Sequence, residues 1–326
     1  MASELHDDLV GVSISGQTIK LVEVEFLGGQ YQVKKIVEKD ANLSFDFHSA
    51  INEGDSAKKA VADLINNAIS SSKITARNAA FTLDSQVVLV KKIPIDADLP
   101  GHEIKNQVQW EAEQFVFQPL DQYIIDYNHL RAVNRQDQDE LLVVMVKRAI
   151  IDFLMDVFKR TPLHLQIVDV DVFAAIRAIK ANYEYKPEDK IGLIDIGWEG
   201  LKITLMTRGD YFLSTGFSFV GEQNGKKVLS IPDDEQLGKL ISKELRRIIL
   251  DHKIGKYIED LDRIFFYGEL VKPSIVENLQ NFYDVRINKI NPFRKVRFTS
   301  VDVGDESIRN APEKFVVCIG TALRNV

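Results

Sequence analysis

The sequence predicts an α/β protein of two related halves, with an extra segment inserted into the first. Three observations carry that prediction. Val12 to Leu21 (VSISGQTIKL) aligns without a gap under Ile194 to Ile203 (IDIGWEGLKI), and each stretch reads as strand, tight glycine turn, strand. Each is followed by a third strand and then a helix, in the same order. At 326 residues the chain is long enough for two domains and too long for one ordinary core.

The elements follow from local pattern. Leu9–Ser15, Thr18–Phe26 and Tyr31–Glu38 alternate as strands, joined by Gly16-Gln17 and by Leu27 to Gln30. A helix follows, capped by Asp55 or Ser56, with Ala57, Ala60, Val61, Leu64 and Ala68 at helical spacing. Asn78–Leu83 and Gln86–Ile93 are expected strands, and His102–Phe117 a helix entered through Pro100-Gly101. Leu141–Val146 reads as a buried strand, and Ala149–Lys159 as a helix stopped before Pro162. Ile167–Val170 is a short strand and Val172–Ala181 a helix. The polar stretch Asn182–Asp189, with Pro187, is the expected linker. Beyond the second hairpin come a strand over Asp210–Thr215 and a helix from Asp233. The expected organisation is a first lobe over residues 1–185, carrying an insertion at about Ser85 to Leu165, and a second lobe over 186–326.

Composition narrows the function. Apolar residues are 45% and charged ones 27%, which is ordinary for a globular chain. A net charge of −7 argues against a nucleic-acid binder or a membrane-surface binder, since both need a positive field. The single cysteine, Cys318, excludes an internal disulfide and fits a reducing compartment. The longest apolar run, Leu141–Val146, falls far short of the ~20 residues that cross a bilayer. The opening stretch is acidic and polar, without signal-peptide character. The expectation is a cytoplasmic chain with no direct membrane insertion.

Two hairpins, one per half, can cradle phosphates from both sides, because tight turns expose successive backbone N–H groups. A carboxylate at the end of the preceding strand would then hold a hydrated Mg²⁺. The actin, sugar-kinase and heat-shock-ATPase superfamily uses this arrangement. Several short motifs narrow this further: Trp110–Phe115 (WEAEQF), Asp126-Tyr127, Asp169–Ala174 (DVDVFA), Leu193–Gly197 (LIDIG), Asn291–Phe293 (NPF) and Ile319–Arg324 (IGTALR). In these the chain resembles one branch of that superfamily, the PilM family of type IV pilus assembly. The resemblance runs from about Val10 to Arg324. It implies an actin-like ATPase fold of two RNase H-like halves, with an inserted α/β subdomain like that of the related FtsA in the first half. It also implies ATP and Mg as cofactors the fold can take. The implied candidate cleft residues are Ser13, Ser15, Gly16, Lys20, Asp195, Gly197 and Gly268.

Departures from the family pattern weaken that cleft. Its first phosphate loop resembles GIDIGSSSIK, whereas Gly11–Lys20 reads GVSISGQTIK, so Ser13 stands where an acid would meet a metal. The second loop keeps Asp195 and Gly197 but continues with Trp198 and Glu199 in place of small hydroxyl residues. The glycine-rich adenosine motif is reduced to Phe266–Leu270 (FYGEL), and Phe219–Glu222 (FVGE) holds one glycine where the family has a pair. These changes predict lost ATPase activity, with no catalytic and no metal-ligating residue assigned.

Other conspicuous residues have plainer readings. Glu111 and Glu113 point apart on a helix and are expected in solvent. The six histidines are scattered and predict no metal site. Cys318 is expected as a small buried hydrophobe, Arg294–Phe298 as a solvated strand or loop, and Trp110 in the core. Asp169 and Asp171 are expected to cap the following helix.

The resemblance implies a cytoplasmic scaffold peripheral to the inner membrane in a type IV pilus assembly complex. Its implied partner is a PilN-like bitopic membrane protein, whose N-terminal tail would lie between the first subdomain and the inserted one. Other pilus or secretion components, and a second copy of the chain, are further implied partners; nucleic acid is not. Two alternatives stay open. One is the cytoplasmic domain of a type II secretion L-protein, which would continue into a membrane helix; the other is an active ATP-hydrolysing actin-like protein.

Overall fold

The computed structural model describes residues 8–41, 45–96, 99–130, 139–198, 200–223, 226–299 and 306–324. The chain opens as a meander of β1 (Asp8–Ser15), β2 (Thr18–Leu27) and β3 (Gln30–Asp40). A short helix, α1 (Phe47–Glu53), is capped by Asp46, whose carboxylate accepts the Ser49 N–H at 3.0 Å. Then come α2 (Asp55–Ser72), β4 (Asn78–Leu83), β5 (Val88–Ile95), α3 (Gly101–Phe115), β6 (Tyr123–Leu130), β7 (Asp139–Lys147) and α4 (Arg148–Phe158). The first half closes with β8 (His164–Val170) and α5 (Asp171–Asn182). The second repeats the plan with β9 (Ile191–Ile196), β10 (Gly200–Thr207) and β11 (Asp210–Ser218). After the small ribbon β12 (Val220–Gln223) and β13 (Lys226–Leu229) comes α6 (Asp234–Asp251). Asp233 starts α6 with a capping box, accepting the Gln236 N–H while the Gln236 side chain accepts the Asp233 N–H. The remaining elements are β14 (Arg263–Tyr267), α7 (Pro273–Phe282), β15 (Arg286–Lys289), β16 (Arg297–Phe298), α8 (Glu306–Asn310) and α9 (Val316–Ala322).

Two compact units result. The first comprises Met1–Phe45, Leu64–Thr82 and Leu163–Val326, and so holds both halves of the repeat. Its two sheets run β16-β3-β2-β1-β4-β8 and β11-β10-β9-β14-β15. Setting aside the two-residue β16, each half orders its strands third, second, first, fourth, fifth. In each, the first three strands are antiparallel, while the fourth pairs parallel with the first. The hairpin registers match too, with Ser13 opposite Lys20 in one sheet and Asp195 opposite Lys202 in the other. The repeat read from the sequence is therefore structural, and its copies lie in separate sheets.

Packing fixes both halves. On α6, Leu237, Ile241, Leu245 and Ile248 recur on one face and join a buried cluster with Ile203, Leu205 and Ile264. Burying each contributes about 1.5–3 kcal/mol. After β16 pairs with β3, the chain returns to the first half and α9 lies on its sheet. Two glycines permit that return. A Cβ on Gly11 would strike the Cys318 carbonyl, and one on Gly320 would strike the backbone of Ala174 in α5. Arg177 of α5 ties the same joint, donating to Asp169 and to the Gly320 carbonyl, both at 2.7 Å.

The second unit comprises Asp46–Asp63 and Leu83–Pro162. Its sheet runs β5-β7-β6, and α3 lays Val108 and Ala112 on Ile93, Leu141 and Val143. The sequence reading placed this insertion at about residues 85–165; residues 46–63 join it as well. Phe47 packs edge-on against Phe153 with centroids 6.2 Å apart, Lys58 pairs with Asp156 at 2.8 Å, and Asp55 pairs with Arg160. Asp55 is thus engaged by an arginine from a distant part of the chain.

Two local expectations are corrected here. Trp110 is 61% exposed, because the buried stripe of α3 runs through Val108 and Ala112 and Trp110 lies on the opposite face. Asp169 does not cap α5. It is held by Arg177 and by Arg324, at 2.7 and 3.0 Å, while Asp171 sits inside the first turn and accepts the Val172 N–H at 2.7 Å.

Candidate functional site

All seven candidate cleft residues belong to the first unit, at the ends of the central strands of its two sheets. Each hairpin bends sharply after its first strand. Gly16 has φ +54°, a conformation that favours glycine, and the Ser15 carbonyl accepts the Thr18 hydroxyl at 3.0 Å. In the second hairpin the Gly197 N–H donates to the Gly200 carbonyl at 2.9 Å, so this amide is used within its own turn. The turns meet through Trp198. A Cβ on Gly16 would lie 2.8 Å from Trp198 Cδ1, so the indole of one half lies against the glycine turn of the other. Glu199 lies outside the described residues.

Behind the turns, each hairpin lysine reaches a carboxylate from the opposite half. Lys20 of β2, 3% exposed, pairs with Glu269, 7% exposed, at the end of β14. Glu38 stands 3.7 Å from the same ammonium, and the Phe315 ring lies 5.7 Å below it. Burial pulls the Lys20 ammonium down to about 8, against the upward pull of Glu38 and Asp195. Lys202 of β10, 11% exposed, donates to Asp171 at 2.5 Å and stands 3.8 Å from Asp195. The two pairs cross between the halves in opposite directions.

Backbone geometry aims Glu269. Gly268 has φ +108°, and a Cβ there would strike the Asp195 carboxylate and the Ile196 carbonyl. Its N–H donates to the Glu313 carbonyl at 3.2 Å, and the Leu270 N–H donates to the Ile196 carbonyl at 2.9 Å. The residues on both sides of Glu269 are therefore fixed. Glu313 is itself buried and accepts from Lys289 at 2.7 Å.

Ser13 lies near the buried Cys318 thiol of α9, which donates to the Gly11 carbonyl at 3.2 Å and whose ionisation burial pushes up to about 12. Among the described residues no group of three or more His, Cys, Asp or Glu side chains is placed to hold a metal ion.

The sequence reading missed Glu38, Asp171 and Phe315 as parts of this site, and it took Glu269 only as the replacement of an adenosine-motif glycine. One signal was present: Lys20 and Lys202 occupy equivalent places in the repeat, and two lysines at the inner ends of buried strands require anions nearby. Which anions they meet depends on how the halves close.

The profile of the type IV pilus assembly protein PilM family matches residues 11–233 of this chain. Among solved structures, a PilM–PilN type IV pilus biogenesis complex is similar with a TM-score of 0.74 at 17% identity, covering 97% of this chain and 98% of that one. A Bacteroides thetaiotaomicron protein of actin-like ATPase fold and unknown function gives 0.49 at 11% identity, covering 88% and 92%. The cytoplasmic domain of EpsL, an inner-membrane component of the type II secretion system of Vibrio cholerae, gives 0.47 at 11%, covering 81% and 84%. The repeated strand order and the 0.74 similarity identify an actin-like ATPase fold, and the match over residues 11–233 shows that the chain belongs to the PilM family of type IV pilus assembly proteins.

Proposed function

We propose that this protein is a cytoplasmic scaffold of type IV pilus assembly that captures the N-terminal tail of a PilN-like membrane protein, and that its cleft is a structural core without ATP turnover. Membership of the PilM family carries the first part of the reading. No helix among the described residues is long and apolar enough to cross a membrane.

The crossed ion pairs support the second part. A Mg–nucleotide needs cations free to meet phosphate and a carboxylate free to meet the metal. Here Lys20 and Lys202 are each held by a carboxylate, Ser13 brings no charge for a metal, and Trp198 lies on Gly16. These residues do not fit a Mg–triphosphate.

The test is capture of a synthetic N-terminal tail peptide of the PilN-like partner by the purified chain, alongside a Mg²⁺-dependent ATPase assay. Saturable binding with ATP hydrolysis at background is expected. No binding would reject the scaffold, and metal-dependent turnover would reject the structural cleft.

A further inference from the structure

The strongest unassigned feature is the way the cleft satisfies its own cations. We propose that Glu269 is a resident occupant of the cleft: its carboxylate holds the place on Lys20 that a polyphosphate oxygen would take, so a polyphosphate binds there only by displacing it. The inference deepens the reading of the cleft as a structural core and rests on it.

Lys20 is almost fully buried, so its ammonium requires a partner, and an anion arriving from solvent has the chemistry to supply one. Glu269 supplies it from within. The side chain does not wander into the site, because Gly268 and Leu270 on either side are hydrogen-bonded to Glu313 and Ile196. Gly268 also packs against Asp195 too closely for any side chain. Lys202 is held in the same manner by Asp171, so neither hairpin lysine is offered outward. An incoming polyphosphate would therefore meet Glu269, Glu38 and Asp195 before a free cation, and like charges at short range oppose it.

Removing the occupant reverses this balance. In Glu269→Ala, Lys20 keeps Glu38 at 3.7 Å as a weaker partner and gains room in front of its ammonium. A charge-assisted contact from an incoming phosphate oxygen then tightens binding about tenfold to hundredfold.

The experiment measures tripolyphosphate and, separately, ATP binding to the full chain by titration calorimetry and thermal shift, without added metal. The unmodified chain is expected to bind both weakly. Glu269→Ala is expected to bind tripolyphosphate at least about tenfold more tightly. Adding Lys20→Met to that variant is expected to cancel the gain. A larger gain for ATP than for tripolyphosphate would show that adenosine contacts also survive; equal gains would assign the site to the phosphates alone. Both outcomes support the occupant. Glu269→Gln keeps the shape and removes the charge, and is expected to gain affinity to a smaller extent.

Several results overturn the proposal: equal affinity in the unmodified chain and Glu269→Ala, a gain that persists with Lys20→Met, or a folded Glu269→Gln with no gain. Loss of fold in both Glu269 variants overturns it as well, since a displaceable occupant must be dispensable to the fold. ATP turnover by the unmodified chain would instead reject the structural-core reading, so the two failures are distinguishable.

Discussion

Replacing Lys202 by Met would break one of the two crossed pairs. Lys202 and Asp171 are 11% and 7% exposed and 2.5 Å apart, with Asp195 3.8 Å from the same ammonium. Methionine nearly preserves the side-chain volume, so the change removes charge rather than packing. It leaves two carboxylates facing a site that has lost its cation. Breaking a buried pair by removing one partner costs about 3–5 kcal/mol. Asp171 still accepts the Val172 N–H at 2.7 Å, which sets the expectation at the lower end, about 3 kcal/mol. In a chain of this size that lowers the melting temperature by about 4 °C. Adding Asp171→Leu should restore stability to within about 1 kcal/mol of the unmodified chain, because an apolar pair replaces a buried ionic one at little net cost. Urea unfolding followed by far-UV circular dichroism, with all four corners of the cycle, reports the coupling. Trp198 adds a fluorescence probe in the same unit. A loss under about 1 kcal/mol in Lys202→Met would refute the claim that this pair is buried and coupled. So would a double variant as damaged as the sum of the two single ones.

Glycine substitutions separate close packing from open space. Gly320→Ala drives a methyl into the Ala174 backbone and should lower stability by about 1–3 kcal/mol, whereas Gly238→Ala, in α6 with nothing near its Cβ, should raise it by about 0.5–1 kcal/mol; calorimetric melting of both checks the contrast. Cys318 should resist alkylation at pH 8.5 in the folded chain and react fully in urea, as followed by mass spectrometry. Its thiol ordinarily ionises near 9, and burial raises that to about 12 in the fold. Its contribution to stability is therefore complete below pH 9 and lost as pH rises toward 12.

Much of the fold was legible because its signals are local. The two hairpins are apolar-rich strands around short glycine turns, and their sequences align without a gap. The start of α6 is likewise a local signal, read at Asp233, which the structure shows to be its N-cap. The strand Tyr123–Leu130 was not read, since Asp126 to Asn128 point into solvent and give no apolar alternation at a sheet edge. The helix Phe47–Glu53 was missed for a different reason: two buried residues over seven positions give too short a period to recognise. Trp110 misled because size suggested burial, while the helical phase set by Val108 and Ala112 excluded it. The cleft was harder still. Its defining contacts join Lys20 to Glu269 and Asp171 to Lys202, residues far apart in sequence that meet only when both halves have folded.

That distinction bears on what the altered motif residues do. Read along the chain, Ser13, Trp198 and Glu269 are subtractions from a nucleotide site: a charge removed, bulk added, a glycine of the adenosine motif replaced. In three dimensions two of them have partners: Trp198 lies on Gly16, and Glu269 neutralises Lys20. Losing a ligand without compensation would have left Lys20 buried beside only the weaker Glu38 contact, at a cost of several kcal/mol for an unpaired buried ion. The carboxylates remove that cost and join the halves through charge as well as packing. The ion pairs that join the halves are the same ones proposed to oppose phosphate entry, and the Lys202 cycle and the Glu269 titration test those two roles separately.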